Sequence, residues 1–74
     1  MMGGFSQQQV DQEHRDLIHG QTASINTKLG TSHAAFSADH VWTQVVAGTN
    51  YFFHLSAGDH HYSVCIYQPL PHTN

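Results

Sequence analysis

Residues 44–48 have the sequence Gln-Val-Val-Ala-Gly, whose chemistry is that of non-covalent contact. Val45 and Val46 are β-branched and stiff at χ1, so they lose little side-chain entropy when a partner immobilises them. Gln44 can donate hydrogen bonds along a groove, and Gly48 permits the positive φ that a tight loop often needs. The stretch is therefore either an ordinary hairpin turn with exposed apolar residues or a tip that enters an apolar groove of another protein.

Two further short segments carry residues suited to contact. Leu70 and Pro71, followed by His72, would form a second tip if the preceding strand returns to the same edge. Proline restricts the backbone there before any partner binds. Gly3 and Gly4 lie near the N-terminus, where a glycine pair by itself is typical of a flexible end.

Eight histidines raise the alternative of a metal site. His14 and His19 are five residues apart, which misses the spacing of four that places two ligands on one helix face. His60 and His61 follow Asp59 in a turn, but nothing completes a set of four ligands. We therefore expect no metal and no cofactor.

Cys65 is the only cysteine, so an internal disulfide framework is excluded. It is expected in mid-strand among apolar neighbours, where a thiol usually serves as inert packing rather than as a nucleophile. A chain of 74 residues is also too short to build a catalytic cleft around it. We expect no catalytic residue and no enzyme.

The composition favours one small domain, residues 1–74, in a reducing cytosolic setting. Two basic residues against five carboxylates argue against nucleic acid, which proteins bind mainly by neutralising phosphates. No apolar run approaches the roughly 20 residues of a membrane span. The first residues lack the basic and apolar regions of a signal peptide.

The first part of the chain is predicted to be one long helix over 7–29. Ser6 and Gln9 fit a capping box, Gly30 fits a C-terminal cap, and Gly20 is a weak point off the apolar stripe. The apolar residues of the stripe are Val10, Leu17, Ile18, Ile25 and Leu29.

From residue 35 the apolar residues recur with a period of two, which is typical of strands buried on one face. A hairpin loop over 45–48 would place Trp42 and Tyr51 in the core and leave His40 on the same face, opposite Phe53. The predicted partners are Trp42 with Tyr51 and Ala38 with Leu55.

A second loop over 57–60, containing Gly58 and Asp59, predicts the same buried face independently. Its predicted partners are Leu55 with Tyr62, Phe53 with Val64, and Tyr51 with Ile66. The sequence thus favours an α+β fold, in which one long helix packs across a small antiparallel β-sheet meander.

The chain resembles the cystatins, and in particular their stefin (type 1) branch. The resemblance is close through residues 44–51, returns at Gly58-Asp59 and at Leu70-Pro71-His72, and is weak through the helix. It implies a helix across a curved sheet of about five strands, the first formed by the N-terminal segment. It also implies that this chain is shortened at its C-terminus, where a stefin continues into a final strand.

The resemblance implies a function: reversible, tight, non-covalent inhibition of papain-like cysteine proteases (cathepsins). In stefins the N-terminus and two hairpin loops form a wedge that plugs the active-site cleft. Gly4, or alternatively Gly3, would let the backbone pass close to the catalytic cysteine. The implied protease-binding residues are Gly3, Gly4, Gln44, Val45, Val46, Ala47, Gly48, Leu70, Pro71 and His72.

A different class of role stays open. Without the final strand of a stefin, the sheet would keep an exposed edge, and exposed edges favour pairing with another chain. The alternative is a truncated, non-inhibitory stefin-like remnant that self-associates, for example as a homodimer formed by strand exchange.

Overall fold

The computed structural model describes residues 4–71 of the chain. Its strands form a four-stranded antiparallel sheet in the order β1-β2-β3-β4, and the helices cover one face of it. The predicted α+β class and the antiparallel meander are confirmed. The elements are β1 (Ser6–Gln8), α1 (Gln12–Gly20), α2 (Thr22–Leu29), β2 (Ser37–Val46), β3 (Gly48–Ala57) and β4 (His60–Gln68).

The prediction that a helix begins at residue 7 is wrong. Ser6 pairs with Thr43 as part of β1, so the backbone of this segment bonds to β2 instead of starting a helix. The helix begins after Asp11, whose Oδ1 accepts the backbone N–H of His14 at 3.2 Å. His14 Nδ1 in turn accepts the backbone N–H of Asp11 at 3.2 Å. This reciprocal capping box satisfies two backbone donors that the first turn would otherwise leave unpaired.

The helical region is also two short helices rather than one long helix. The break is at Gln21, which has φ −105° and ψ 8°, directly after Gly20. Glycine lowers helix stability there, and the hydroxyl of Thr22 bonds back to the carbonyl of His19 at 3.0 Å. The predicted end is confirmed, because Gly30 caps α2 in the left-handed conformation with φ 70°.

The predicted register between β3 and β4 is confirmed. The turn at Gly58, with φ 60°, lets the chain reverse between the two strands. The observed partners include Leu55 with Tyr62, Phe53 with Val64, and Tyr51 with Ile66.

The predicted register between β2 and β3 is wrong by one residue near the loop. Val46 already pairs with Gly48, so only Ala47 lies between the strands, and the loop is shorter than the four residues expected. A bulge at Asp39 absorbs the extra residue, which is why the predicted pair of Ala38 with Leu55 is nevertheless present. The observed partners include Trp42 with Phe52, Val41 with Phe53, and His40 with His54.

This one-residue shift exchanges the faces of β2. Val41 is fully buried, whereas Trp42, expected in the core, lies on the face away from the helices. Its ring contacts Phe52 at a centroid distance of 5.7 Å and His54 at 4.6 Å. His40 also lies on this outer face, opposite His54, and does not intrude on the core as predicted.

The core lies between the helices and the inner face of the sheet. His14 is buried beside it, with its ring edge-on to Tyr51 at 5.8 Å and to Phe53 at 6.2 Å. No helix within residues 4–71 has the length and apolar character needed to cross a membrane. The core residues are Ile18, Ile25, Val41, Phe53 and Leu55.

Candidate functional site

The turn between β2 and β3 carries an exposed apolar tip, defined here as the first tip, residues 45–48. Val45 is 83% exposed and Val46 is 47% exposed, at the end of a hairpin whose turn is Ala47 alone. Both strands are ten residues long, so the hairpin is anchored in the sheet over most of its length. A one-residue turn between long paired strands thus leaves both valines exposed to water at the end of the sheet.

The backbone of the first tip lies close to the segment that follows β4. Gly48 has φ +115°, and a Cβ atom built on it would lie 2.9 Å from Pro69 Cα and would meet the carbonyl oxygen of Gln68. Only glycine fits this close backbone approach. The hydroxyl of Tyr67, which lies 2.9 Å from the same built Cβ position, donates a hydrogen bond to the carbonyl of Ala47.

The second tip, residues 69–71, therefore starts beside the first one. Leu70 is 63% exposed and Pro71 is exposed. The register explains the proximity, because Gln68 pairs with Thr49, the residue after Gly48. Antiparallel pairing thus brings the end of β4 to the end of the sheet where β2 turns into β3.

The N-terminal segment reaches the same end of the sheet. Ser6 pairs with Thr43, so the chain before Ser6 runs toward the first tip. Gly4 has φ +77°, and a Cβ atom built on it would lie 2.8 Å from Gln44 Nε2. The amide oxygen of Gln44 accepts a hydrogen bond from Asn50 Nδ2 at 2.9 Å. The side chain of Gln44 thus lies beside the N-terminal segment and bonds to β3.

Eight of the predicted site residues consequently lie at one end of the sheet, and we call this group the contact edge. Two predicted residues, Gly3 and His72, lie outside the described residues. The contact edge comprises Gly4, Gln44, Val45, Val46, Ala47, Gly48, Leu70 and Pro71.

Sequence reasoning missed two residues that hold this arrangement together. Tyr67 donates a hydrogen bond to the carbonyl of Ala47, and Asn50 donates one to the side chain of Gln44. The position of Tyr67 could have been found from the predicted register of β3 with β4. Two further pairs beyond Tyr51 and Ile66 bring the end of β4 level with the first tip. No local pattern marked Asn50, whose partner depends on the shortened turn.

The contact edge offers shape and apolar surface rather than reactive groups. Its exposed side chains are aliphatic, and Gln44, its one side chain with hydrogen-bonding groups, is engaged within the protein. Such a surface can fill apolar subsites of a groove.

The histidines and the cysteine of the described residues lie elsewhere. No group of three or more His, Cys, Asp or Glu side chains within residues 4–71 is arranged to hold a metal ion. His14 serves as part of the helix cap, and Cys65 pairs with Phe52 on the outer face. Cys65 is exposed, so the expectation that it is packed among apolar neighbours is wrong.

Comparisons with known proteins place the chain beside two cystatins, although no family model matches it. It is 32% identical over 73 residues to Cystatin-B of Oplegnathus fasciatus, a match that covers 96% of this chain and 73% of that protein. It is 32% identical over 62 residues to Cystatin-A2 of Dictyostelium discoideum, which covers 84% of this chain and 65% of that protein.

The matches span most of this chain, and the helices across an antiparallel sheet agree with the α+β fold of those relatives. Taken together, the sequence identity and the fold mean that the chain belongs to the cystatin family, as a stefin-like member.

Proposed function

We propose that this protein is a reversible, tight-binding, non-covalent inhibitor of papain-like cysteine proteases such as cathepsins. One observation carries the proposal: three chain segments that are distant in sequence meet at one end of the sheet, and two of them expose aliphatic side chains there. Val45, Val46 and Leu70 are 83%, 47% and 63% exposed. Membership of the cystatin family supports a protease as the partner.

The contact edge would act by occupying a cleft. Stiff valine side chains on an anchored hairpin lose little conformational entropy on binding, so most of the contact energy is retained. Interfaces of this kind bury roughly 800 Å² on each partner. The proposed protease-binding residues are Gly3, Gly4, Gln44, Val45, Val46, Ala47, Gly48, Leu70, Pro71 and His72.

The residues of the contact edge would have different parts in binding. Val45, Val46 and Leu70 would fill apolar subsites, since they expose the most aliphatic surface. Gly4 would let the N-terminal backbone lie close to the floor of the cleft because it has no Cβ atom. Gln44 would hold Gly4 beside the first tip.

A titration of papain with the protein tests this function directly. We predict that the wild type inhibits papain reversibly and that Val46→Asp weakens inhibition at least tenfold, because a carboxylate must then be desolvated in an apolar subsite. The matched control is Ala35→Asp, which adds the same charge to an exposed position at the opposite end of the sheet.

The two variants separate the role of the tip from that of charge. Ala35→Asp should inhibit like the wild type, and both variants should keep the circular dichroism spectrum of the wild type. A folded wild-type protein that fails to inhibit papain at high micromolar concentration would contradict the proposal. Equal inhibition by Val46→Asp would remove the first tip from the mechanism.

We also propose that the protein acts in the cytosol as a single domain over residues 1–74. The stefin-like relatives support an intracellular setting. The exposed free thiol of Cys65 is consistent with a reducing compartment, where such a group stays unoxidised. Fractionation of cells that express the tagged protein would test the location.

Self-association is a second candidate role, and the sheet edge favours it. β4 is the last strand in the sheet order, so no other strand within residues 4–71 pairs with its far side. None of its nine residues is Asp, Glu, Lys or Arg, so the edge lacks the charges that usually block pairing. Beside it, Ile25, Val64 and Ile66 line a groove of about 320 Å³ that another strand could cover.

A further inference from the structure

Tyr67 stands near the end of β4, one strand away from the first tip. Its side chain is 53% exposed, so its ring contributes little to the core. Its hydroxyl nevertheless donates a hydrogen bond to the carbonyl of Ala47, the single residue of the turn. The bond therefore connects the end of β4 to a turn that is 20 residues away in sequence.

Gly48 makes a second connection between the same two parts of the chain. A Cβ atom built on it would lie 2.9 Å from Pro69 Cα and 2.9 Å from the hydroxyl oxygen of Tyr67. The bare Cα of Gly48 thus allows the backbone of the first tip to touch the start of the second tip. The hydroxyl of Tyr67 thus lies close to the same point as Pro69, and it bonds to the carbonyl of Ala47 from there.

An exposed carbonyl could be hydrated by water equally well, so this hydrogen bond contributes little net stability. What it does is reduce the number of conformations of the turn. A tip that is already ordered loses less conformational entropy when a partner binds it. Differences of this kind in related complexes appear mainly in the dissociation rate.

From this geometry we infer that Tyr67 is a positioning residue for protease binding: its hydroxyl locks the first tip against the second, so that a protease meets both tips as one preformed surface. The inference rests on the proposed inhibitory function. Tyr67 acts through Ala47 and need not touch the protease itself.

The test is Tyr67→Phe, which removes the hydroxyl and keeps the ring. The matched control is Tyr62→Phe, because the hydroxyl of Tyr62 also makes one hydrogen bond, to His33 Nε2 at 2.7 Å, but at the other end of β4. Association and dissociation rate constants would be measured by surface plasmon resonance on immobilised papain. Backbone order parameters of residues 45–48 would be measured by NMR relaxation on the free protein.

Tyr67→Phe should speed dissociation by about threefold to tenfold, the size of the conformational entropy lost when one side chain is ordered on binding, and leave association nearly unchanged. The amides of residues 45–48 should become more mobile. Tyr62→Phe should change neither the dissociation rate nor the order of the first tip, even where it lowers stability.

Unchanged dissociation and unchanged order in Tyr67→Phe would overturn the inference, and so would equal effects of the two variants. Absence of any binding by the wild type would overturn the proposed function instead. In that case the order parameters alone still decide whether Tyr67 positions the tip: a loss of order in Tyr67→Phe supports it, and none overturns it.

Discussion

Phe52 and Phe53 are neighbours with opposite environments, and the difference follows from the pairing of β2 with β3. Phe53 is fully buried against Val41, whereas Phe52 is half-buried on the outer face beside Trp42. Because side chains alternate between the two faces of a strand, one of the two had to point inward. The register predicted for β3 with β4 correctly identified Phe53 as that residue. The face of Trp42 was predicted wrongly because a two-residue alternation cannot reveal the length of a turn.

At the scale of single residues, we predict that Phe53→Ala leaves the protein largely unfolded at 25 °C. Truncating a fully buried Phe costs about 3–5 kcal/mol, and a domain this small has a net stability of roughly the same size. Phe52→Ala is the matched control and should remain folded, since its ring is only half-buried and lies outside the core. Urea denaturation followed by circular dichroism measures both, and equal loss of structure in the two variants would contradict the observed register.

The exposure of the two tips was predictable from residue types and spacing. Two consecutive valines between strand patterns, and a Leu-Pro pair after the last strand, are residue types and spacings that indicate exposed tips. The exposure of these side chains, 83% for Val45 and 63% for Leu70, agrees with that prediction. The contacts that hold the tips were not predictable, because Tyr67 and Ala47 meet only after three strands have paired.

At the scale of elements, the start of α1 shows how a long-range contact overrides a local signal. Ser6 and Gln9 have the spacing of a capping box, and Asp11 with His14 have the same spacing. Pairing of Ser6 with Thr43 commits the first segment to the sheet, so the second box is the one that forms. The N-terminal strand implied by the stefin resemblance is thereby present as β1.

We predict that Asp11→Ala lowers the free energy of unfolding by about 0.5–2 kcal/mol, the usual cost of losing an N-cap. Its side chain accepts the backbone N–H of His14 at 3.2 Å, which alanine cannot do. Ser6→Ala should change the stability much less, since Ser6 is exposed in β1 and caps nothing. Thermal and urea denaturation of both variants would check this, and a larger effect of Ser6→Ala would refute the assignment.

At the scale of the whole molecule, the protein presents two different surfaces at its margins. One is the contact edge, where three segments converge and aliphatic groups are exposed. The other is the far side of β4, an uncharged strand next to an apolar groove under α2. The first surface fits a concave partner, and the second fits an extended strand such as β4 of another copy.

We predict that any dimer formed through β4 is weakened by Ser63→Lys. Ser63 is exposed near the middle of β4, and a lysine there would add a positive charge to each of two paired β4 strands. The control is Ser32→Lys, which makes the same charge change in the exposed segment before β2. Analytical ultracentrifugation over a concentration series would measure the dimer. A wild type that stays monomeric at high micromolar concentration would exclude this mode of association.

The sequence by itself determined the α+β class, the register of β3 with β4, the cap at Gly30 and the apolar character of both tips. Each of these depends on residues that are close in the chain, where periodicity and turn chemistry act directly. The tertiary structure decided the start of the helices, the faces of Trp42 and His40, the burial of His14 and the joining of the two tips through Tyr67. These depend on pairing across long stretches of chain, and there one bulge at Asp39 or a turn of one residue instead of four changes which side chains meet.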